Sequence, residues 1–110
     1  MKMKEYHKLI RDRIVEAIEK DGRKAMVRTL DEKEFREELK KKLVEEVSEL
    51  INAQGDSVID EMADVYEVLE HLLEVYGIRE EDLLIAKAKK AQIKGKFRKK
   101  IFLISVKDKE

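Results

Sequence analysis

Five acidic residues carry the pattern with the most chemical potential. Glu45, Glu46 and Glu49 follow one another as EExxE, and Glu61 and Asp64 stand further along as ExxD. At about 100° per residue, the rotation set by 3.6 residues per turn, each pair can be placed on a helical wheel. Phe35, Leu39, Leu43, Val44, Val47, Leu50 and Ile51 then fill one half of a helix. Glu46 falls inside the edge of that half, between Phe35 and Leu39. Glu49 is next to the edge and Glu45 lies further round. On the following helix Glu61 falls between Val68 and Leu72, and Asp64 sits beside Val75, whereas Glu67, Glu70 and Glu74 occupy the polar side. A carboxylate on an apolar face is costly unless something compensates it. Two acidic pairs at i, i+3 aimed at a shared face form a like-charge cluster, which needs bound cations or protonation. An all-oxygen ligand set suits a hard ion, Mg²⁺ or Mn²⁺. Magnesium held by a few carboxylates keeps waters and accepts phosphate oxygens, which points to a nucleotide-like substrate. The competing reading is plain. With 25 acidic residues in 110, such pairs also arise by chance on solvated faces.

The basic residues are candidates of a second kind. Lys8, Arg11 and Arg13 near the start, and Lys87, Lys89, Lys90, Lys94 and Lys96 near the end, are of the type that holds phosphates. Lys87 is in line with Leu83 and Ala91, so its stem also serves to cover apolar surface. His7 and His71 are isolated and match no zinc spacing. The chain has no Gly-rich phosphate loop, no Ser-His-Asp arrangement and no dinucleotide fingerprint. Phosphate chemistry would have to rest on carboxylates and metal.

These side chains need helices to position them. The pattern predicts a first helix from about Ile10 to Lys20, ended by Asp21-Gly22. Residues 24–30 read as a connector, extended around Ala25, Met26 and Val27. Asp31 is an N-cap, and Glu34 completes a capping-box pattern for a second helix running to about Ala53. Gly55 stops it. Asp56 or Ser57 caps a third helix that reaches about Tyr76, and Gly77 ends that one. A fourth covers about Glu80 to Ile93, acidic in its first turn and basic in its last, as the helix dipole prefers. The short link between helices two and three predicts an antiparallel hairpin. Ile101 to Val106 is β-branched and apolar, and reads as a short C-terminal strand, with a frayed tail after it. The expected fold is therefore mainly α, a helical hairpin core of about four helices with one short strand.

At 110 residues the chain reads as a single domain. Charged residues are 45% of it, yet 43% are hydrophobic and recur with helical spacing, which favours a folded helical protein over disorder. Its formal net charge is zero, which argues against a general nucleic-acid binder, although the ends are more basic than the middle. No cysteine is present, so disulfides and thiolate metal sites are excluded. No apolar stretch approaches the roughly 20 residues that span a bilayer, and no leader is visible, so a cytoplasmic location without membrane contact is expected.

Three segments together resemble a known family. Glu45-Glu46-x-x-Glu49 with Glu61-x-x-Asp64 resembles the EExxE…ExxD signature of the all-α nucleoside triphosphate pyrophosphohydrolases, the MazG-like superfamily. Residues 6–14, YHKLIRDRI, are similar to the opening KLVRDKI of its small single-domain house-cleaning members. Residues 89–97, KKAQIKGKF, with Ile101-Phe102-Leu103, look like their closing segment. The sequence departs from that pattern at Val15 and Lys96, and its stretch between Glu49 and Glu61 is short. The resemblance implies Mg²⁺, with Mn²⁺ as a substitute, held by Glu46, Glu49, Glu61 and Asp64. It implies attack of an activated water on the α-phosphorus of a nucleoside triphosphate, with Glu45 or Glu49 orienting that water. It further implies that Lys8, Arg11, Arg13 and Lys90 neutralise phosphates, and that the chain forms a homodimer or higher homo-oligomer. Two other readings compete: a non-catalytic helical dimer, and a phosphoribosyl-ATP pyrophosphohydrolase with a similar acidic signature.

Overall fold

The computed structural model describes residues 2–109. It contains four helices, α1 (Ile14–Lys20), α2 (Glu32–Asn52), α3 (Ser57–Val75) and α4 (Glu80–Lys94). Among the described residues there is no strand, so the fold is all-α. The expected strand at Ile101–Val106 does not form. A strand needs a paired neighbour to take its backbone groups, and no second strand exists among the described residues to supply one. The run is instead an exposed segment without regular structure. The ends of the chain, Met1 in the expected extended start and Glu110 in the expected frayed tail, lie outside the described residues. Among the described residues no helix is long and apolar enough to cross a membrane.

The chain divides into two compact units, Met1–Ile78 and Arg79–Glu110. In the first, α2 and α3 pack side by side as the expected antiparallel hairpin. Asp31 caps α2, its Oδ1 accepting from the Glu34 N–H at 2.8 Å. Only half of the capping box forms. The Glu34 carboxylate turns away to a two-point contact with Arg28, at 2.7 and 3.2 Å. Between the helices, the Ser57 hydroxyl donates to the Gln54 carbonyl at 2.8 Å, fastening the turn. At the end of α3, the Ile78 N–H reaches back to the Leu73 carbonyl and the Gly77 N–H to that of Glu74. This closure needs a left-handed residue, and Gly77 supplies it at φ 66° without a Cβ penalty.

The first helix starts at Ile14 rather than Ile10. The residues ahead of it are held by ion pairs to α2 and α3 instead of by their own helical turn, Lys8 to Glu45 and Arg11 to Asp64. The second unit carries α4, which has acidic residues in its first turn and Lys94 in its last, and which Gly95 ends.

Burial in the hairpin is sparse. Only Leu39 (3% exposed), Val68 (6%) and Glu46 (7%) are buried among the described residues. Leu39 therefore carries an unusual share of the apolar packing. Leu39→Ala is expected to lower unfolding free energy by about 2–5 kcal/mol, the range for emptying a buried leucine site. Urea denaturation followed by helical circular dichroism reads this directly.

Candidate metal centre

The third buried residue is an acid, and its surroundings explain why. Glu46 and Glu49 project from α2 one turn apart, and Glu61 and Asp64 from α3 one turn apart. Hairpin packing brings the two pairs together. Each of the four offers one carboxylate oxygen, and these oxygens lie within 4.8 Å of one another. Glu46 is buried, Glu61 and Asp64 are half-buried, and Glu49 is exposed. The wheel placement of Glu46 and Glu61 inside apolar faces matches this gradation.

Two oxygens in the group stand out. Glu46 Oε2 and Glu61 Oε2 are shielded from solvent and have no hydrogen-bond partner among the described residues. A shielded acceptor left unpaired costs its full desolvation penalty, more when it is charged. Burial pushes the Glu46 carboxyl up from its ordinary range. Its neighbour Glu49 adds to this, Lys42 opposes it, and the Asp64 charge adds a little more. The donor set is all oxygen, compact and short of positive charge, and it fits a hard divalent cation.

Charge compensation within the chain comes from three bases. Lys8 Nζ lies 3.1 Å from Glu45 Oε1, and Arg11 Nη2 lies 2.8 Å from Asp64 Oδ1. Lys42 Nζ spans two residues, at 3.3 Å from Glu45 Oε2 and 3.4 Å from Glu46 Oε1. Glu45 is not one of the four grouped oxygens. It stands beside them, held by two ammonium groups, and the Lys8 hydrogen bond foremost keeps its carboxyl below the ordinary range. Lys8 is correspondingly raised by Glu45. A cavity of about 70 Å³ opens next to this pair, lined by Lys8, Lys41, Lys42, Glu38 and Glu45 among others.

Of the expected phosphate-binding residues, Arg11 thus touches the acidic group directly, through Asp64, and Lys8 reaches only the neighbouring Glu45. Arg13 precedes α1 and pairs with Glu16 at 3.5 Å. Lys90 lies on α4, in the second unit, and is exposed. His7 pairs with Glu5 and His71 with Glu67, and neither belongs to the acidic group. Lys42 was not singled out by sequence. The signal was there, since it precedes Glu45 and Glu46 by three and four residues, the spacings that put helix side chains in contact.

Comparisons with protein-family models, with curated proteins and with solved structures find no match for this chain.

Proposed function

We propose that this chain is a Mg²⁺-dependent nucleoside triphosphate pyrophosphohydrolase of the MazG-like kind, converting a nucleoside triphosphate and water into the monophosphate and pyrophosphate. The observation that carries this reading is the convergence of Glu46, Glu49, Glu61 and Asp64, with two shielded oxygens that lack any partner. Magnesium, or manganese in its place, supplies charge neutralisation for phosphate oxygens and an acidified water when bound there. The four carboxylates hold it. Glu49, the most exposed of them, is placed to orient the incoming water. Glu45 serves instead to anchor Lys8 and Lys42. Lys8, Arg11 and Lys42 then present positive charge to the phosphates, with Arg13 and Lys90 assigned the same task on the resemblance alone. Electrostatic stabilisation of this kind is commonly the largest contribution to phosphoryl transfer.

The working form is a homodimer or larger homo-oligomer acting in the cytoplasm, with no nucleic-acid or membrane partner. Exposed apolar side chains at Val44, Val47 and Ile51 on α2, and at Ile59, Met62 and Tyr66 on α3, support association of copies. A housekeeping role against altered nucleotides follows from the resemblance.

The test is a panel of nucleoside triphosphates incubated with and without Mg²⁺ in ¹⁸O-labelled water. Monophosphate and pyrophosphate are expected only with the metal, and the label is expected in the monophosphate. Orthophosphate as product would overturn attack at the α-phosphorus. One observation favours a second reading, a non-catalytic scaffold. Lys8, Arg11 and Lys42 already tie down part of the acidic group. That reading predicts no turnover on any member of the panel.

A further inference from the structure

We infer that Lys42 is the resident counter-cation of the acidic group, which holds down its affinity for free divalent ions and favours an ion that arrives with a nucleotide. The inference rests on the metal-site reading above and assigns a role to a residue outside the four ligands. Its starting point is the pairing around that group. Among the described residues, the ion pairs of Glu45, Glu46 and Asp64 come from Lys8, Arg11 and Lys42, while Glu49 and Glu61 stand in the same group. Of the three bases, only Lys42 touches Glu46, the most buried of the four grouped carboxylates. Its own side chain is 17% exposed, so water screens it less than the other two.

Geometry divides the Glu46 carboxylate between two tasks. Oε1 faces the Lys42 ammonium, while Oε2 is shielded and has no partner. A dication bound by this residue lies close to a fixed positive charge. Like charges at such separations in a partly buried site weaken binding substantially. An anionic phosphate responds in the opposite sense. Lys42 and Lys8 line the small cavity together with Glu38 and Glu45, and a phosphate oxygen that takes the place of Glu45 on the two ammonium groups gains from both. Lys42 therefore penalises the metal alone and rewards metal plus phosphate, which is a coupling between the two ligands. Lys41 also lines that cavity, but it pairs with Glu38 and its side chain is three-quarters exposed.

Lys42→Met keeps the unbranched stem of the side chain and removes the terminal ammonium with its charge. Titration calorimetry with Mn²⁺ alone is expected to give binding about 10-fold tighter than in the parent chain, the scale of one nearby charge acting on a dication. Affinity for a non-hydrolysable α,β-methylene nucleoside triphosphate, measured with Mn²⁺ saturating, is expected to fall about 10-fold. Opposite signs are the signature, because a merely structural lysine would loosen Glu46 and weaken both ligands. Lys41→Met is the control, with both affinities expected within about 2-fold of the parent chain, as for an exposed, screened charge. Should the parent chain bind Mn²⁺ while Lys42→Met binds it equally or more weakly, the counter-cation role is wrong and the metal site stands. Absence of Mn²⁺ binding in the parent chain, with or without the analogue, would overturn both.

Discussion

Glu46→Gln is expected to reduce triphosphate hydrolysis by about 10³-fold or more, since several kcal/mol of metal-borne stabilisation depends on its ligand set. The same variant is expected to melt higher than the parent chain when no metal is present. The two effects share one origin. Glu46 is buried beside Glu49 and Asp64, and its shielded Oε2 has no partner. Removing its charge removes a repulsion and a desolvation cost, worth about 1–3 kcal/mol for an unsatisfied buried group. The sign of the pH dependence follows. Folding raises the Glu46 pKa, so between the unfolded and folded values the native state binds more protons, and stability falls as pH rises. Below the ordinary carboxyl range both states are protonated and the parent and variant differ least. The gap opens as pH climbs through the raised folded value and then stays constant. Melting curves of both proteins in chelator across the acid range read this gap. A variant less stable than the parent at neutral pH would mean that Lys42 already compensates Glu46 fully.

The second large effect concerns the parent chain itself. Saturating Mg²⁺ or Mn²⁺ is expected to raise its melting temperature, and chelator is expected to reverse the shift. A ligand that binds only the folded chain stabilises it by about 2.7 kcal/mol at a hundred times its dissociation constant. For a domain near this size that corresponds to roughly 10 °C or more. The unfolded chain gathers no comparable oxygen cage, because the ligands come from two helices that meet only in the hairpin. Differential scanning calorimetry with and without the ion measures the shift, and Glu46→Gln should lose most of it. A parent chain indifferent to divalent ions, even with nucleotide present, would favour the scaffold reading, in which Lys8, Arg11 and Lys42 are all the cations the group uses.

Much of this arrangement is legible in the amino-acid sequence, and the reasons are local. Asp31 before a periodic apolar run marks the start of α2 and Gly77 the end of α3, whereas α2 ends on an extended Ala53 and Gly55 lies in the turn beyond it. Wheel position alone set Glu46 and Glu61 apart from Glu67, Glu70 and Glu74, because helical geometry converts spacing into direction. What escaped was set by partners distant in the chain. Helix α1 begins late because Lys8 reaches Glu45 and Arg11 reaches Asp64, contacts that no short window reveals. Glu34 satisfied a capping-box pattern, yet its side chain went to Arg28, a competitor outside the motif. The apolar run at Ile101–Val106 has strand composition, but composition does not provide the second strand that hydrogen bonding demands.

The placement of a carboxylate among so few buried residues also bears on how long such a chain persists. Under the proposed reading, the supply of free divalent ion and the fraction of chains transiently open to proteases are linked quantities. Depleting the ion would not only silence the catalyst but shorten its lifetime, by enlarging the population that degradation can reach. Preparations held in chelator would then age faster than those kept in millimolar magnesium, with loss by clipping rather than by slow chemical damage.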